Sequence, residues 1–209
     1  HEALQSRYNH VRNKAAEVLA RKKDGSSFDV LCAMVRSDYK GEQKRGIAAL
    51  LELGDARAID HLLNRITDDV AGTARVDELF TAIGAFRLEA PIDELMQLYG
   101  QERFRDDAFD AILTISGYDQ EFEYDFDDED DDDQSWLKDQ HPRKDAICAQ
   151  LCAACVRHGQ TDRLDDLIPF LSWMASSDAD EQLATLAAFS GDDIRNKAVE
   201  AIGFRARKR

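Results

Sequence analysis

Four side chains near the C-terminal third could hold a metal or do thiol chemistry: Cys148, Cys152, Cys155 and His158, spaced i, i+4, i+7 and i+10. A zinc ion would need thiolates and imidazole converging as a tetrahedron at about 2.0–2.3 Å. On one helix this spacing draws a stripe too long for one ion to collect easily. Ile147, Leu151 and Val156 interleave with it, so free thiols packed as small hydrophobes account for the pattern. Cys32, inside "FDVLCAMV", takes a core position of the same kind. Four thiols without a pairing pattern predict a reducing compartment, the cytoplasm or another.

No other stretch carries a reaction. His1, His10, His61, His141 and His158 lie outside any G-x-S-x-G, H-E-x-x-H or reactive-cysteine context. The glycines close helices instead of cradling phosphates. "DFDDEDDDDQSW" lacks the glycine at position six and the glutamate at position twelve of a calcium loop. The chain is therefore expected to be no enzyme and to need no cofactor.

The least ordinary segment is "DQEFEYDFDDEDDDD", Asp119 to Asp133, with 11 acidic residues and no basic one. Removing those 11 charges from the net −15 leaves −4, so one short run carries most of the field. Dense like charge opposes collapse, and the plain reading is a solvated, disordered insertion over 119–141. The other reading comes from the alternation "EFEYDFD". In an extended chain Phe122, Tyr124 and Phe126 share one face. Such a strip, with Asp127 and Asp128 beside it and Trp136 beyond, could dock on a basic protein through charge and buried rings. Totals this acidic make direct nucleic-acid binding an unfavoured use.

The elements that would position these residues are helices. Only 3 Pro and 11 Gly punctuate 209 residues, and no apolar run approaches the roughly 18 needed to cross a bilayer. The chain starts at His1 without Met, which predicts a fragment or a processed product. One phrase occurs at both ends, "VRNKAAEVLARK" from Val11 and "IRNKAVEAIGFRARK" from Ile194. Arg45, Arg75 and Arg105 stand 30 residues apart. Three and six residues after each come Ala48 and Leu51, Glu78 and Thr81, Ala108 and Ala111; the frame extends to Arg12, Arg143 and Arg195. A period near 30 to 38 residues marks an array of helical repeats. About ten helices are expected, stopped at Gly54, Gly84, Gly100, Gly117 and Gly159, with Asp55 and Thr161 as N-caps and Pro91 and Pro142 opening others.

"DYKGEQKRGIAALLELG" and "DDVAGTARVDELFTAIG" share an Asp, an Arg seven residues later and a closing Gly. In this the chain resembles HEAT-repeat proteins, and Pro169 in "LIPFL" resembles that family's kinking proline. The resemblance implies an all-α armadillo-like solenoid of about five helical hairpins. Repeats would span 1–118 and 142–209 as one continuous array, interrupted by the acidic insertion. It also implies that Asp38, Arg45, Asp68, Arg75 and Arg105 form a structural ladder between units. Glu78 and Leu98 depart from the pattern, standing where the family has a small residue and an Asp.

Function follows as a class. The leading expectation is a protein–protein interaction scaffold, or a segment of a larger protein with that role. The alternative is an acidic, nucleic-acid-mimicking module that masks a basic nuclease, histone-like protein or toxin through residues 119–136. A glycosylase activity of the kind some HEAT-like proteins have would need a cationic groove, and the charge argues against it.

Overall fold

A computed structural model describes residues 1–69, 75–117, 144–174, 176–189 and 191–208. Among them are eleven α-helices, three short 3-10 turns and no strand, so the chain is all-α. It divides into two compact units, His1–Pro91 and Ile92–Arg209.

The first unit holds α1 (Asn9–Arg21), α2 (Phe28–Val35), α3 (Lys40–Leu53), α4 (Ala58–Thr67) and α5 (Val76–Ala85). Two rows result: α1, α3 and α5 are successive neighbours, and α2 meets α4. The most extensive packing is α2 on α3. Gly46 makes that approach, since a Cβ there would stand 2.8 Å from Met34 Cβ and 3.0 Å from the Val35 nitrogen.

The second unit holds α6 (Ile92–Tyr99), α7 (Arg105–Ser116), α8 (Lys144–His158), α9 (Thr161–Trp173), α10 (Ser177–Ala187) and α11 (Asp192–Lys208). α8 is apolar nearly all round and is the central helix, touching α6, α7, α9 and α10. α7 and α8, which flank residues 118–143 in sequence, pack on each other. Arg205 ties the end of this unit. It is 6% exposed, donates to the Leu171 carbonyl at 2.8 Å and to the Met174 carbonyl, and pairs with Asp180 at 2.8 Å.

Several helix ends follow from sequence. Gly54, Gly117 and Gly159 have φ of 72°, 87° and 67°, the left-handed stop only glycine adopts freely. At Gly159 the Gln160 amide reaches Cys155 O at 2.9 Å and the Gly159 amide reaches Val156 O at 3.2 Å, a Schellman closure. Other ends differ from expectation. α5 runs through Gly84, which is buried, and Arg87 takes the left-handed position at φ 51°. Asp55 accepts from the Arg57 amide at 3.0 Å in the turn ahead of α4 instead of capping the helix. Thr161 is the first residue of α9, after Gln160. Pro169 does lie inside α9.

The repeated frame divides in two. In the first unit the buried positions are four, five and eight residues after the arginine: Ala16, Glu17 and Ala20 on α1, Ala49, Leu50 and Leu53 on α3, Leu79, Phe80 and Ile83 on α5. The small residues three and six after it point outward there, with Ala48 and Thr81 exposed. In the second unit α7 and α11 bury positions three and six, with Ala108, Ala111, Ala198 and Ala201 at 2% exposure or less, while α8 keeps the first unit's positions, with Ile147, Cys148 and Leu151 buried. α1 and α11, which carry the same phrase, thus bury faces about half a turn apart at 3.6 residues per turn.

Two glycines test this packing from opposite sides. Gly46→Ala should force α2 and α3 apart and cost about 1–3 kcal/mol in urea unfolding. Gly203→Ala, where an added Cβ meets nothing within 4 Å, should stabilise by up to about 1 kcal/mol.

Candidate functional site

The residues that sequence marked for partner binding, Phe122, Tyr124, Phe126, Asp127, Asp128 and Trp136, lie outside the described residues. The other marked set, the charge ladder, is described and can be built up from its helices.

α1 presents Asn13, Glu17 and Arg21 at four-residue steps, one stripe of a helix. α3 answers with Glu42, Arg45 and Glu52. The Asn13 amide donates to Glu42 Oε1, Arg45 Nη1 stands 3.6 Å from Glu17 Oε1, and Arg21 Nε stands 3.4 Å from Glu52 Oε2. Glu42 is oriented by the Ser37 hydroxyl, which donates at 2.6 Å, and Ser37's carbonyl accepts from buried Gln43 at 2.5 Å. The seam continues to α5, where Glu78 meets Arg75 and Lys44.

Of these arginines Arg45 meets a neighbouring helix, through Glu17 of α1, whereas Arg75 pairs with Glu78 of its own helix and the α3–α5 link is made by Lys44. Asp38 and Asp68 are exposed; the buried aspartate in that turn is Asp69, 3.1 Å from Arg65. Arg105 donates instead to the backbone carbonyl of Tyr99 at 3.4 Å. Glu78, read as a departure from the repeat pattern, is a partner of Arg75. Long ion pairs with one exposed partner, such as Arg45 with Glu17, contribute little energy each. What they set is register.

A second charged cluster sits on α7 and α9. Arg163 lies 2.9 Å from Asp106, 3.8 Å from Asp110 and 3.6 Å from Asp166, with its guanidinium 4.7 Å from the centre of the Phe109 ring. Burial pushes the Asp110 carboxyl upward against the pull of Arg163.

The thiol stripe lies in the core of the same unit. Cys148, Cys152 and Cys155 are each 0% exposed. The Tyr99 hydroxyl donates to Cys155 Sγ at 3.2 Å, and His158 faces the edge of the Tyr99 ring at 5.6 Å. Burial pushes the Cys152 thiol up to about 12 and the Cys155 thiol up to about 11, and holds Cys148 well above the ordinary value. Tyr99 is raised by burial too. At neutral pH these groups are protonated, so they pack and do not attack. Among the described residues, no three His, Cys, Asp or Glu side chains converge as a metal would need.

Sequence reading passed over Asn13, Glu17 and Glu42. The signal for the first two was present in the duplicated phrase, since Asn196 and Glu200 stand at the matching positions. No family model and no curated protein matches this chain.

The buried thiols give a pH prediction. A folded-state value raised from 9.0 means the native state keeps protons that the unfolded chain loses. Their contribution is complete below pH 9 and is lost as pH rises through about 11 and 12. Urea midpoints should be flat with respect to these groups up to pH 9 and fall above it. At pH 8 all three should resist a thiol-specific chromogenic disulfide until the protein is unfolded.

Proposed function

We propose that this chain is a non-enzymatic protein-interaction scaffold, built as an α-solenoid of about five HEAT-like helical hairpins. The observation that carries the reading is the first unit, where α1, α3 and α5 follow one another and bury the same positions relative to their arginines. A fold extended by repetition offers a long flank to a macromolecule, whereas a pocket enzyme needs convergent reactive groups. The reactive groups described here are spent on packing: the thiols are protonated and the seam carboxylates are paired with arginine, lysine or asparagine. No helix among the described residues is long and apolar enough to cross a membrane. The four free, buried thiols favour a reducing compartment such as the cytoplasm.

The second reading keeps the scaffold and assigns the work to residues 119–136, whose 11 carboxylates and interleaved rings would mask a basic partner. The two separate in one experiment. The intact chain and a form lacking residues 119–134 are used as bait between about 0.1 and 1 M salt, over which the Debye length falls from about 10 to about 3 Å. A scaffold retains its partners after the deletion and across the salt range. Loss of all binding on deletion, with steep salt dependence in the intact chain, would replace the scaffold reading with masking.

A further inference from the structure

The two copies of the terminal phrase bury opposite faces, and this leaves one of them open. On α1 the stripe Asn13, Ala16, Glu17 and Ala20 is buried, and its polar members hold Glu42 and Arg45 of α3. On α11 the residues at the same places are Asn196, Val199, Glu200 and Gly203. The second unit packs against the far side of α11, through Ile194, Ala198, Ala201 and Arg205. Asn196 and Glu200 are exposed, Val199 is 54% and Ile202 39% exposed, and the space above Gly203 is empty to 4 Å.

We propose that this outer face of α11 docks a helix of a partner protein whose contacting stripe has the chemistry of α3: a carboxylate, an arginine three residues on, and a small residue four further. The chain itself supplies the precedent. Asn196 would donate to the carboxylate as Asn13 does to Glu42, and Glu200 would receive the arginine as Glu17 receives Arg45. Val199 and Ile202 supply more apolar area than Ala16 and Leu19 do on α1, which a contact between separate molecules needs to offset its entropy. Gly203 permits the approach that Ala20 permits on α1. A second copy is the poorer occupant, because its own α3 stripe is already held by its α1. The proposal goes beyond the scaffold reading and involves none of residues 119–136, so the bait experiment and the one below can fail separately.

The test uses the full chain and a helix-stabilised, fluorescent peptide of the α3 sequence, residues 39–54, followed by anisotropy. Saturable binding is expected. Val199→Asp, at an exposed position, should weaken it roughly tenfold or more, while Gly203→Ala, which reproduces Ala20, should retain it. A peptide with Arg45→Glu should bind poorly to the natural chain and recover on the Glu200→Arg chain, a rescue that mere sticking cannot give. Absence of binding overturns the proposal. So does binding indifferent to Val199→Asp, which would mean that the peptide displaces the chain's own α3 from α1. Concentration-dependent dimerisation abolished by Val199→Asp in sedimentation would overturn the partner-protein assignment in favour of a second copy.

Discussion

A short helix with one apolar stripe is marginal in water until something covers that stripe, and this chain consists of such helices. The described ones run from 8 to 17 residues, near or below the roughly 12–15 under which an isolated helix is marginal in water, α11 alone exceeding it. At such lengths tertiary packing supplies most of the stability, so the position of each is decided by which stripe its neighbours cover. In the first unit that is the same stripe three times over, and α1, α3 and α5 line up as a consequence. In the second unit α8 has apolar residues on almost every side, and four other helices gather round it.

Charged residues act within that constraint without supplying the driving force. Their placement at the edges of the buried stripes means that a slip of one turn between α1 and α3 would set Glu17 near Glu42 and leave Asn13 without its carboxylate. Burial of Leu50 or Ala16 would tolerate such a slip better than the polar edge does. The same division of labour holds at Arg205, where the guanidinium takes up backbone carbonyls left over near the end of α9 and joins α11 to that end. Hydrophobic area holds the helices together, and the polar seam decides in which arrangement.

Much of this was legible in the residues. Three of the glycines expected to stop helices do so with positive φ, because the left-handed conformation is a local matter that one residue type decides. Gly84 failed as a stop because its missing side chain serves burial within α5, and composition cannot tell a packing glycine from a capping one. The cysteine stripe was readable as core for the opposite reason: the apolar residues around it gave the face away. The arginine ladder was half legible. Arg45 meets a carboxylate of the neighbouring helix, Glu17, whose position only the fold reveals, while Arg75 pairs three residues along its own helix with Glu78. The register was illegible altogether. "RNKA" at 12–15 and at 195–198 reads identically, yet a helix presents every residue to some side, and only the neighbours decide which side is the inside.

That ambiguity is also the route from fold to use. A phrase that can bury either of two opposite faces has, in effect, two interfaces written on one helix. α1 uses the Asn13–Glu17 face within the chain, while α11 uses the Ala198–Ala201 face and leaves the other in water, with Val199 and Ile202 on it. Single exposed aliphatics are ordinary on any surface. Two of them one turn apart, beside the asparagine and glutamate that elsewhere in the same chain grip a helix, form a stripe with the composition of an interface and no occupant among the described residues. Stability does not call for it: an alanine or lysine at either position would serve an exposed helix at least as well. The residues that stand there are those a second helix would want to meet.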